Sequence, residues 1–429
     1  MTGKRSNQVE LHPQKGITGG IIPKFDILCS VMAHNDKFIK TTDLKKICDG
    51  LHKKGKKIVF TYGTFDLIHS GHASFLLNAK LYGDVLIVGV ASNKSKKILR
   101  GKGFPLIDQK NRAELLQYFQ FVDYTTIVDK QNLLPILKKI KPDIFYTLGV
   151  DWRSHLRKPE ESKYIKKYGG KIVKVPKTEP FISASAIVQR VADLKIKETI
   201  EYFFGKVQID LSKGNWKNKK WSGLKTDLRS ERLYFGNHFS ELTLFTEKYF
   251  GEMITVEKIS TLGERLRKKN KKIILASGAC DLLHSGHARF YAKAKSLGDV
   301  LVLAIPSNRV IAKQKGRGRP IVDEYSRAEL MAYFGFVDYI VIFDDESVES
   351  IIQKLKPDVF FTVAEEWNNV EKSPISDLLK SWNGSVVTAP PQSPNLSSSK
   401  LIRKAAGLRV KQVFKEVLDE AEKLTTLKD

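Results

Sequence analysis

Residues 63–72 read GTFDLIHSGH, and residues 278–287 read GACDLLHSGH. Each stretch follows an apolar segment of buried-strand length and opens a helical segment that begins near the histidines. Two histidines three positions apart lie on one face of the first turn of such a helix. The start of a helix offers free N–H groups and a favourable dipole to an anion. Both stretches therefore predict a phosphate site at the carboxyl end of a strand.

The repetition extends well beyond these ten residues. His284 follows His69 by 215 positions, and the same offset aligns FVDY at 121–124 with FVDY at 336–339. This period is much too long for a solenoid, so it indicates a duplicated domain of ordinary size. If the copies fuse a symmetric interface into one chain, we expect them to pack as a pseudo-dimer. The amphipathic stretches 42–53 and 256–269, which precede the copies, are candidates for covering that interface.

Each copy alternates apolar strands with helices. A strand precedes the histidines, a second follows at 85–90 or 300–305, a helix surrounds Arg112 or Arg327, and a third short strand comes next. The alternation predicts an α/β fold with two tandem Rossmann-like domains, each a parallel sheet with helices on both faces. The predicted units are an N-terminal extension with a leading helix (1–55), a first domain (56–194), a basic connector (195–255), a second domain with its own leading helix (256–410) and a C-terminal helix (411–429).

Composition narrows the class of protein. The chain has 429 residues, of which 42% are hydrophobic, and this is enough for more than one core. The apolar segments are far shorter than the roughly 20 residues that a membrane span needs, so we expect no transmembrane helix. The first twenty residues lack the apolar core of a secretory signal, which predicts a mature chain that begins near Met1 and is cytoplasmic. The three cysteines, ungrouped with histidines, fit a reducing compartment.

The formal net charge of +26 suggests nucleic acid, an anionic membrane surface or phosphate-rich substrates as partners. The lysines are spread along the chain, as on a solvated surface, and no known nucleic-acid motif is visible. The basic residues most suited to phosphates occupy shared positions in the two copies: Arg100 and Lys315 before a glycine, and Arg112 and Arg327 on the next helix.

These residues resemble the H-x-G-H nucleotidyltransferases, especially glycerol-3-phosphate cytidylyltransferase and the heptose 1-phosphate adenylyltransferases. The resemblance covers about residues 56–190 and 271–404. It includes KTEPFISAS at 177–185, which is similar to a phosphate-binding R-T-E-G-I-S-T-S element, and LGVDW at 148–152, which is similar to a G-x-D-W element. The second copy keeps hydroxyls in LSSS at 396–399 but has AEEW at 364–367. Without the histidines, each serine run would be interpreted as an ordinary N-cap.

The resemblance implies that the paired histidines hold a triphosphate and stabilise the transition state. The implied catalytic residues are His69, His72, Arg112, Lys177, His284 and His287. The implied nucleotide-binding residues are Gly63, Thr64, Phe65, Asp66, Gly71, Arg100, Asp151, Trp152, Ser183, Ser185, Lys315, Arg327, Ser397 and Ser399. Asp66 is open to two interpretations, as a group that orients substrate or metal and as a turn residue. The expected cofactor is Mg²⁺, bound mainly by nucleotide phosphates, so no protein metal site is predicted.

The predicted function is transfer of CMP or AMP from a nucleoside triphosphate to a phosphorylated sugar or alcohol, with release of pyrophosphate. These residues do not distinguish CTP from ATP as the nucleotide, and they do not identify the acceptor. The first copy is the expected principal site, because the second replaces Phe65 by Cys280 and Gly149 by Ala364. The alternative function is a nucleotide-binding regulatory or pseudoenzyme module, at least for the second domain. A nucleic-acid-binding protein, suggested only by charge, would lose affinity steeply with salt.

Overall fold

A computed structural model describes residues 37–100, 103–129, 133–148, 159–175, 187–191, 251–316, 318–345, 347–364, 373–393 and 396–408. Both repeats form parallel sheets with helices around them, so the predicted α/β class and the two Rossmann-like domains are confirmed. The elements of the first domain are α1 (Leu44–Lys53), β1 (Ile58–Gly63), α2 (Ser70–Lys80), β2 (Val85–Ala91), α3 (Asn93–Arg100), α4 (Gln109–Gln117), β3 (Tyr124–Val128), α5 (Leu134–Ile140), β4 (Ile144–Leu148), α6 (Pro159–Lys167) and β5 (Lys171–Val175).

The second domain repeats this order with one more strand at its start. Its elements are β6 (Glu252–Ile254), a short 3-10 turn (Val256–Lys258), α7 (Ile259–Lys268), β7 (Ile273–Ser277), α8 (Ser285–Lys295), β8 (Val300–Pro306), α9 (Asn308–Lys315), α10 (Glu324–Ala332), β9 (Tyr339–Phe343), α11 (Glu349–Leu355), β10 (Val359–Val363), α12 (Pro374–Lys380) and β11 (Ser385–Ala389). Residues 398–408 are also helical.

The two sheets share a strand order when the second is read from its opposite edge, and the second sheet adds β6 beside β9. The order is β3-β2-β1-β4-β5 in the first and β11-β10-β7-β8-β9-β6 in the second. The central strands β1 and β7 each lie between the strand that follows them and one that comes later, so the order reverses there. In open parallel sheets ligands bind at this reversal, beyond the carboxyl ends of the strands. The histidine stretches follow β1 and β7 directly.

The sheets have more strands than the sequence pattern predicts. The pattern indicates three strands in each copy, whereas the first sheet has five and the second has six. The edge strand β5 reads KIVKV, and its lysines obscure an apolar run. The strand β6, at the end of the segment assigned to the connector, has only three residues and pairs in parallel with β9. Its counterpart in the first domain is a single bridge between Phe38 and Thr125.

The two leading helices pack on their own domains. Leu44 and Cys48 of α1 belong to a buried cluster with Ile136 and Leu137 of α5. Ile259 and its neighbours on α7 belong to the matching cluster of the second domain. The expectation that these helices cover the contact between the domains is therefore wrong, because their apolar faces are already buried against the adjacent helix and sheet.

Aromatic residues that follow α4 and α10 join the two domains. Phe119 and Phe334 form an antiparallel bridge, and their rings stack with centroids 4.7 Å apart. Tyr118 packs against Phe336, and the equivalent residues with the roles exchanged, Phe121 and Tyr333, pack likewise. All six of these residues belong to one buried apolar cluster that contains strands and helices of both domains. The contact is isologous, as at a two-fold axis.

Candidate active site

The paired histidines lie at the start of α2 and of α8, beyond the carboxyl ends of the central strands. His69 immediately precedes α2 with an extended backbone, and the backbone N–H of His72 donates to its carbonyl at 2.9 Å. The ring centroids of His69 and His72 are 3.9 Å apart, and those of His284 and His287 are 4.0 Å apart. Gly71 lies between the histidines in the first turn. The structure therefore brings each predicted pair together at a helix N-terminus.

Burial lowers the pKa of three of the four histidines. Burial lowers the pKa of His72 well below its ordinary value, and the adjacent His69 lowers it further. Burial likewise lowers the pKa of His284 to about 4, with a smaller effect from Arg289. The pKa of His287 is also lowered by burial, then by His284 and by Lys315 at the end of α9. The lowered pKa values favour the neutral imidazole in each of these three side chains.

One hydrogen bond indicates which nitrogen of His287 holds the proton. Its Nδ1 lies 3.3 Å from the backbone N–H of His284, which donates to it. The proton of neutral His287 is therefore on Nε2, which is left as a donor. The Nδ1 atom of His72 is buried and has no hydrogen-bond partner within the described residues.

The loop between strand and histidines has an unusual backbone at the position before the aspartate. Phe65 has φ +51° and Cys280 has φ +50°, in the left-handed region. A Cβ atom on Gly63 would lie 2.8 Å from the Phe65 ring, so any larger residue at this position would clash with the ring. In the second domain a Cβ on Gly278 would overlap the Tyr291 hydroxyl. Tyr291 thus fills the space that the change from Phe65 to Cys280 would leave.

Asp66 and its equivalent Asp281 hold the loop that precedes α4 or α10. The carboxylate of Asp66 is buried and accepts hydrogen bonds from the backbone N–H groups of Leu106 and Ile107, both at 2.8 Å. Asp281 accepts the same pair of bonds from Ile321 and Val322. This geometry supports the turn interpretation of Asp66.

Arg112 and Arg327, predicted to clamp phosphate, are almost fully buried. The guanidinium of Arg112 donates to the carbonyls of Ile107 and Thr64 and to the side-chain oxygen of Asn93. Arg327 repeats this pattern and also donates to the carbonyl of Pro306. Each arginine therefore ties together the loops after two strands, and its contact with phosphate stays a prediction.

Sequence reasoning missed Lys96, which lies on α3. Its Nζ is 3.2 Å from the hydroxyl of Thr64, a predicted nucleotide-binding residue. The second domain has Ile311 and Ala279 at these positions, and Ile311 is fully buried. The pattern offered no signal, because Lys96 is one of several lysines between 94 and 97. Aligning the two repeats would have shown that the pair is present in only one.

The serine-rich segment of the second domain reaches the histidine turn. A Cβ atom on Gly286 would lie 2.7 Å from the Cβ of Ser393. Ser398 donates to the carbonyl of Leu282 at 2.9 Å, and the hydroxyl of Ser397 accepts from the backbone N–H of Lys400. Ser397 is thus a helix cap, and Ser399 is exposed.

Several predicted residues lie outside the described part of the chain. They are Asp151, Trp152, Lys177, Ser183, Ser185 and the side chain of Arg100. Among the described residues, no group of three His, Cys, Asp or Glu side chains could hold a metal ion. None of the helices in the described ranges is long and apolar enough to cross a membrane.

Comparison with known proteins identifies the class. The model of the cytidylyltransferase-like family matches residues 60–190 and 275–405, which is more than half of the chain. The chain therefore belongs to the cytidylyltransferase-like family. This confirms the suspected family, the tandem duplication and the prediction of a nucleotidyltransferase.

The alignments with similar curated proteins extend over about the length of one repeat. The bifunctional protein HldE of Campylobacter jejuni subsp. doylei is 40% identical over 122 residues, 28% of this chain and 26% of that protein. The protein of the same name from Nitratiruptor sp. is 44% identical over 118 residues, 27% of this chain and 26% of that protein. The chain thus spans about a quarter of the length of these relatives.

Among solved structures, one similar protein is described as a lipopolysaccharide core biosynthesis protein from Thermoplasma volcanium. It is 27% identical and is covered over 96% of its length, but it covers 28% of this chain, and the TM-score is 0.25.

Proposed function

We propose that the chain transfers CMP or AMP from a nucleoside triphosphate to a phosphorylated sugar or alcohol and releases pyrophosphate. The observation that carries this proposal is the pair of closely packed histidines at a helix N-terminus, present twice at the ligand-binding end of a parallel sheet. The family membership of both repeats supports the same chemistry.

The arrangement suits an in-line displacement at the α-phosphorus. A phosphate oxygen of the acceptor attacks, the bond to pyrophosphate breaks, and no covalent enzyme intermediate forms. Such a reaction needs positioned donors more than a nucleophile. A neutral imidazole that holds its proton on Nε2 can donate to phosphate oxygens as charge develops, and the helix N-terminus adds free N–H groups. Mg²⁺ would neutralise part of the triphosphate charge, with the phosphate oxygens as its main ligands.

The buried arginines have a supporting role in this proposal. Arg112 fixes the carbonyl side of Thr64 and the side chain of Asn93, so it holds two loops that border the histidines. We therefore propose it as a positioning residue in this conformation. The basic groups left to face phosphate in the first domain are Lys96 and, from the sequence, Arg100 and Lys177.

The first domain is proposed as the principal site. Its Lys96 and Thr64 provide a cation and a hydroxyl next to the histidine loop, where the second domain has Ile311 and Ala279. The second domain keeps both histidines and Lys315, so nucleotide binding with a regulatory role is the alternative proposed for it. We further propose that the isologous aromatic contact fuses a homodimer interface into one chain.

Pyrophosphate release tests the proposal. The full chain is incubated with each of four nucleoside triphosphates against a panel of sugar, glycerol and amino-alcohol phosphates. We expect release with CTP or ATP that depends on both acceptor and Mg²⁺. His72→Ala, compared with the wild type in circular dichroism to establish folding, should lose about 100-fold or more in kcat, because removing one transition-state donor has effects of that size. A folded His72→Ala protein with near-normal kcat would contradict the role of this histidine.

A further inference from the structure

One helix of the first domain contacts the histidine turn of the second. The buried hydroxyl of Ser285, the residue between His284 and Gly286, donates to the side-chain oxygen of Asn111 on α4. One turn further along α4, Glu114 accepts from Arg289 of α8 at 2.6 Å. The same helix carries Arg112, which ties the loops of the first site. Helix α4 therefore lies between the two candidate sites.

Arg289 joins this helix to the serine-rich segment of its own domain. Its Nη1 atom donates to the Glu114 carboxylate. Its Nη2 atom donates to the carbonyl of Gln392 at 2.8 Å and to the hydroxyl of Ser393 at 2.6 Å. A guanidinium can hold two such groups at once because its donors form a rigid fork.

The segment that Arg289 holds lies directly on the histidine turn. Ser393 approaches Gly286 so closely that a Cβ there would be 2.7 Å from the serine Cβ. The charge of Arg289 is also near enough to His284 to contribute to lowering its pKa. The contacts of Arg289 thus set the distance between the serine segment and the paired histidines.

Within the described residues, the first domain lacks a cation at the position of Arg289. The residue aligned with Arg289 is Ser74, although Glu329 repeats the position of Glu114. Ser74 instead hydrogen-bonds Tyr333 of the second domain, so an ion pair that reaches a serine-rich segment is described in the second site. A separate copy of the second domain would lose this link together with the bond from Ser285 to Asn111.

We propose that Arg289 is a positioning residue that holds residues 392–393 over the second histidine turn, and that Glu114 of the first domain completes this site by fixing Arg289. The inference rests on the proposed nucleotide binding of the second domain. According to this proposal, the second site binds the phosphates of a nucleoside triphosphate tightly only while the second domain is packed against α4.

Hydrogen–deuterium exchange tests the proposal in the full chain, because it resolves the two domains. The variants are Arg289→Ala, Arg289→Lys and Glu114→Gln, with Glu329→Gln as the matched control at the equivalent acid. Amide exchange of residues 396–401 is measured without nucleotide. The concentration of CTP or ATP, each with Mg²⁺, that half-protects the amides of residues 284–288 is then titrated.

We expect Arg289→Ala to raise exchange of residues 396–401 and to raise the half-protecting nucleotide concentration about tenfold. Glu114→Gln should raise it about threefold, Arg289→Lys should lie between the wild type and the alanine variant, and Glu329→Gln should match the wild type. Unchanged exchange in Arg289→Ala, or unchanged nucleotide concentration in both Arg289→Ala and Glu114→Gln, would overturn the proposal. If nucleotide protects neither domain of the unmodified chain, the proposed function fails instead, and the exchange without nucleotide still decides whether Arg289 holds the segment.

Discussion

The two candidate sites share their framework and differ in their lining. In both domains an aspartate holds the loop before the next helix, and a buried arginine ties that loop to the end of the central strand. The histidine rings are separated by nearly the same distance, 3.9 and 4.0 Å. The groups around them differ: Lys96 and Thr64 in the first site, and Ile311, Ala279 and Arg289 in the second. The framework therefore places the histidines, whereas the lining distinguishes the sites.

One difference that suggested a weakened second site is compensated in the structure. Cys280 replaces Phe65, but Tyr291 takes the place of Leu76 at the same time, and its hydroxyl lies 3.3 Å from the cysteine sulfur. Two linked changes thus refill the same space, as a packed interior requires. The loss of the aromatic side chain alone is no argument that the second site is inactive. The case for asymmetry rests on the charged residues.

The largest expected effect comes from a substitution that disrupts the framework shared by the two sites. Arg112→Met removes a buried guanidinium and leaves the carbonyls of Ile107 and Thr64 without their donors. We expect a loss of about 3 kcal/mol in the free energy of unfolding, since unsatisfied buried polar groups have costs of that order. Urea denaturation of the variant against the wild type measures it. Lys97→Met, on an exposed lysine of the neighbouring helix, should change the free energy by less than about 0.5 kcal/mol. Equal stabilities of the two variants would contradict the structural role of Arg112.

A prediction of intermediate size concerns the pKa of His284 in the second site and its effect on stability. The folded chain lowers the pKa of His284 to about 4, mainly through burial, whereas the unfolded chain takes up the proton near 6.5. The unfolded state therefore binds more protons between these values, and stability falls as the pH decreases from about 6.5 to about 4. The slope is at most about 1.4 kcal/mol per pH unit for one histidine.

The comparison of wild type with His284→Asn measures this contribution. Thermal or urea unfolding between pH 4 and pH 7.5 should show a shallower loss of stability in the variant. If both proteins lose stability equally over that range, the pKa of His284 is not lowered as the structure indicates.

The smallest expected effect concerns the lining of the first site. Lys96→Ile gives the first domain the type of residue that the second has at this position. We expect KM for the nucleoside triphosphate to rise about fivefold, because a partly exposed cation next to phosphate contributes about 1 kcal/mol. Lys97→Ile is the matched control on the exposed face. A KM equal in both variants would show that Lys96 does not distinguish the two sites.

The sequence predicted the features that depend on local pattern. The strand and helix around His69 and His72 follow from an apolar run, a glycine and the spacing of two histidines. The buried state of Arg112 could not be predicted, because a basic residue in a helix is usually solvated and only the tertiary loops supply its acceptors. Arg289 was missed for a related reason: its partners Glu114 and Ser393 are distant in sequence, and only the packing of the two domains brings them together.

The central claim is that the first histidine pair carries most of the nucleotidyl transfer. The direct test compares His69→Ala with His72→Ala in one variant against His284→Ala with His287→Ala in the other, with both assayed for pyrophosphate release on the same substrates and both checked for folding. We predict that the first double variant loses nearly all turnover and that the second retains most of it. Loss of activity in the second variant, with the first unaffected, would contradict the account.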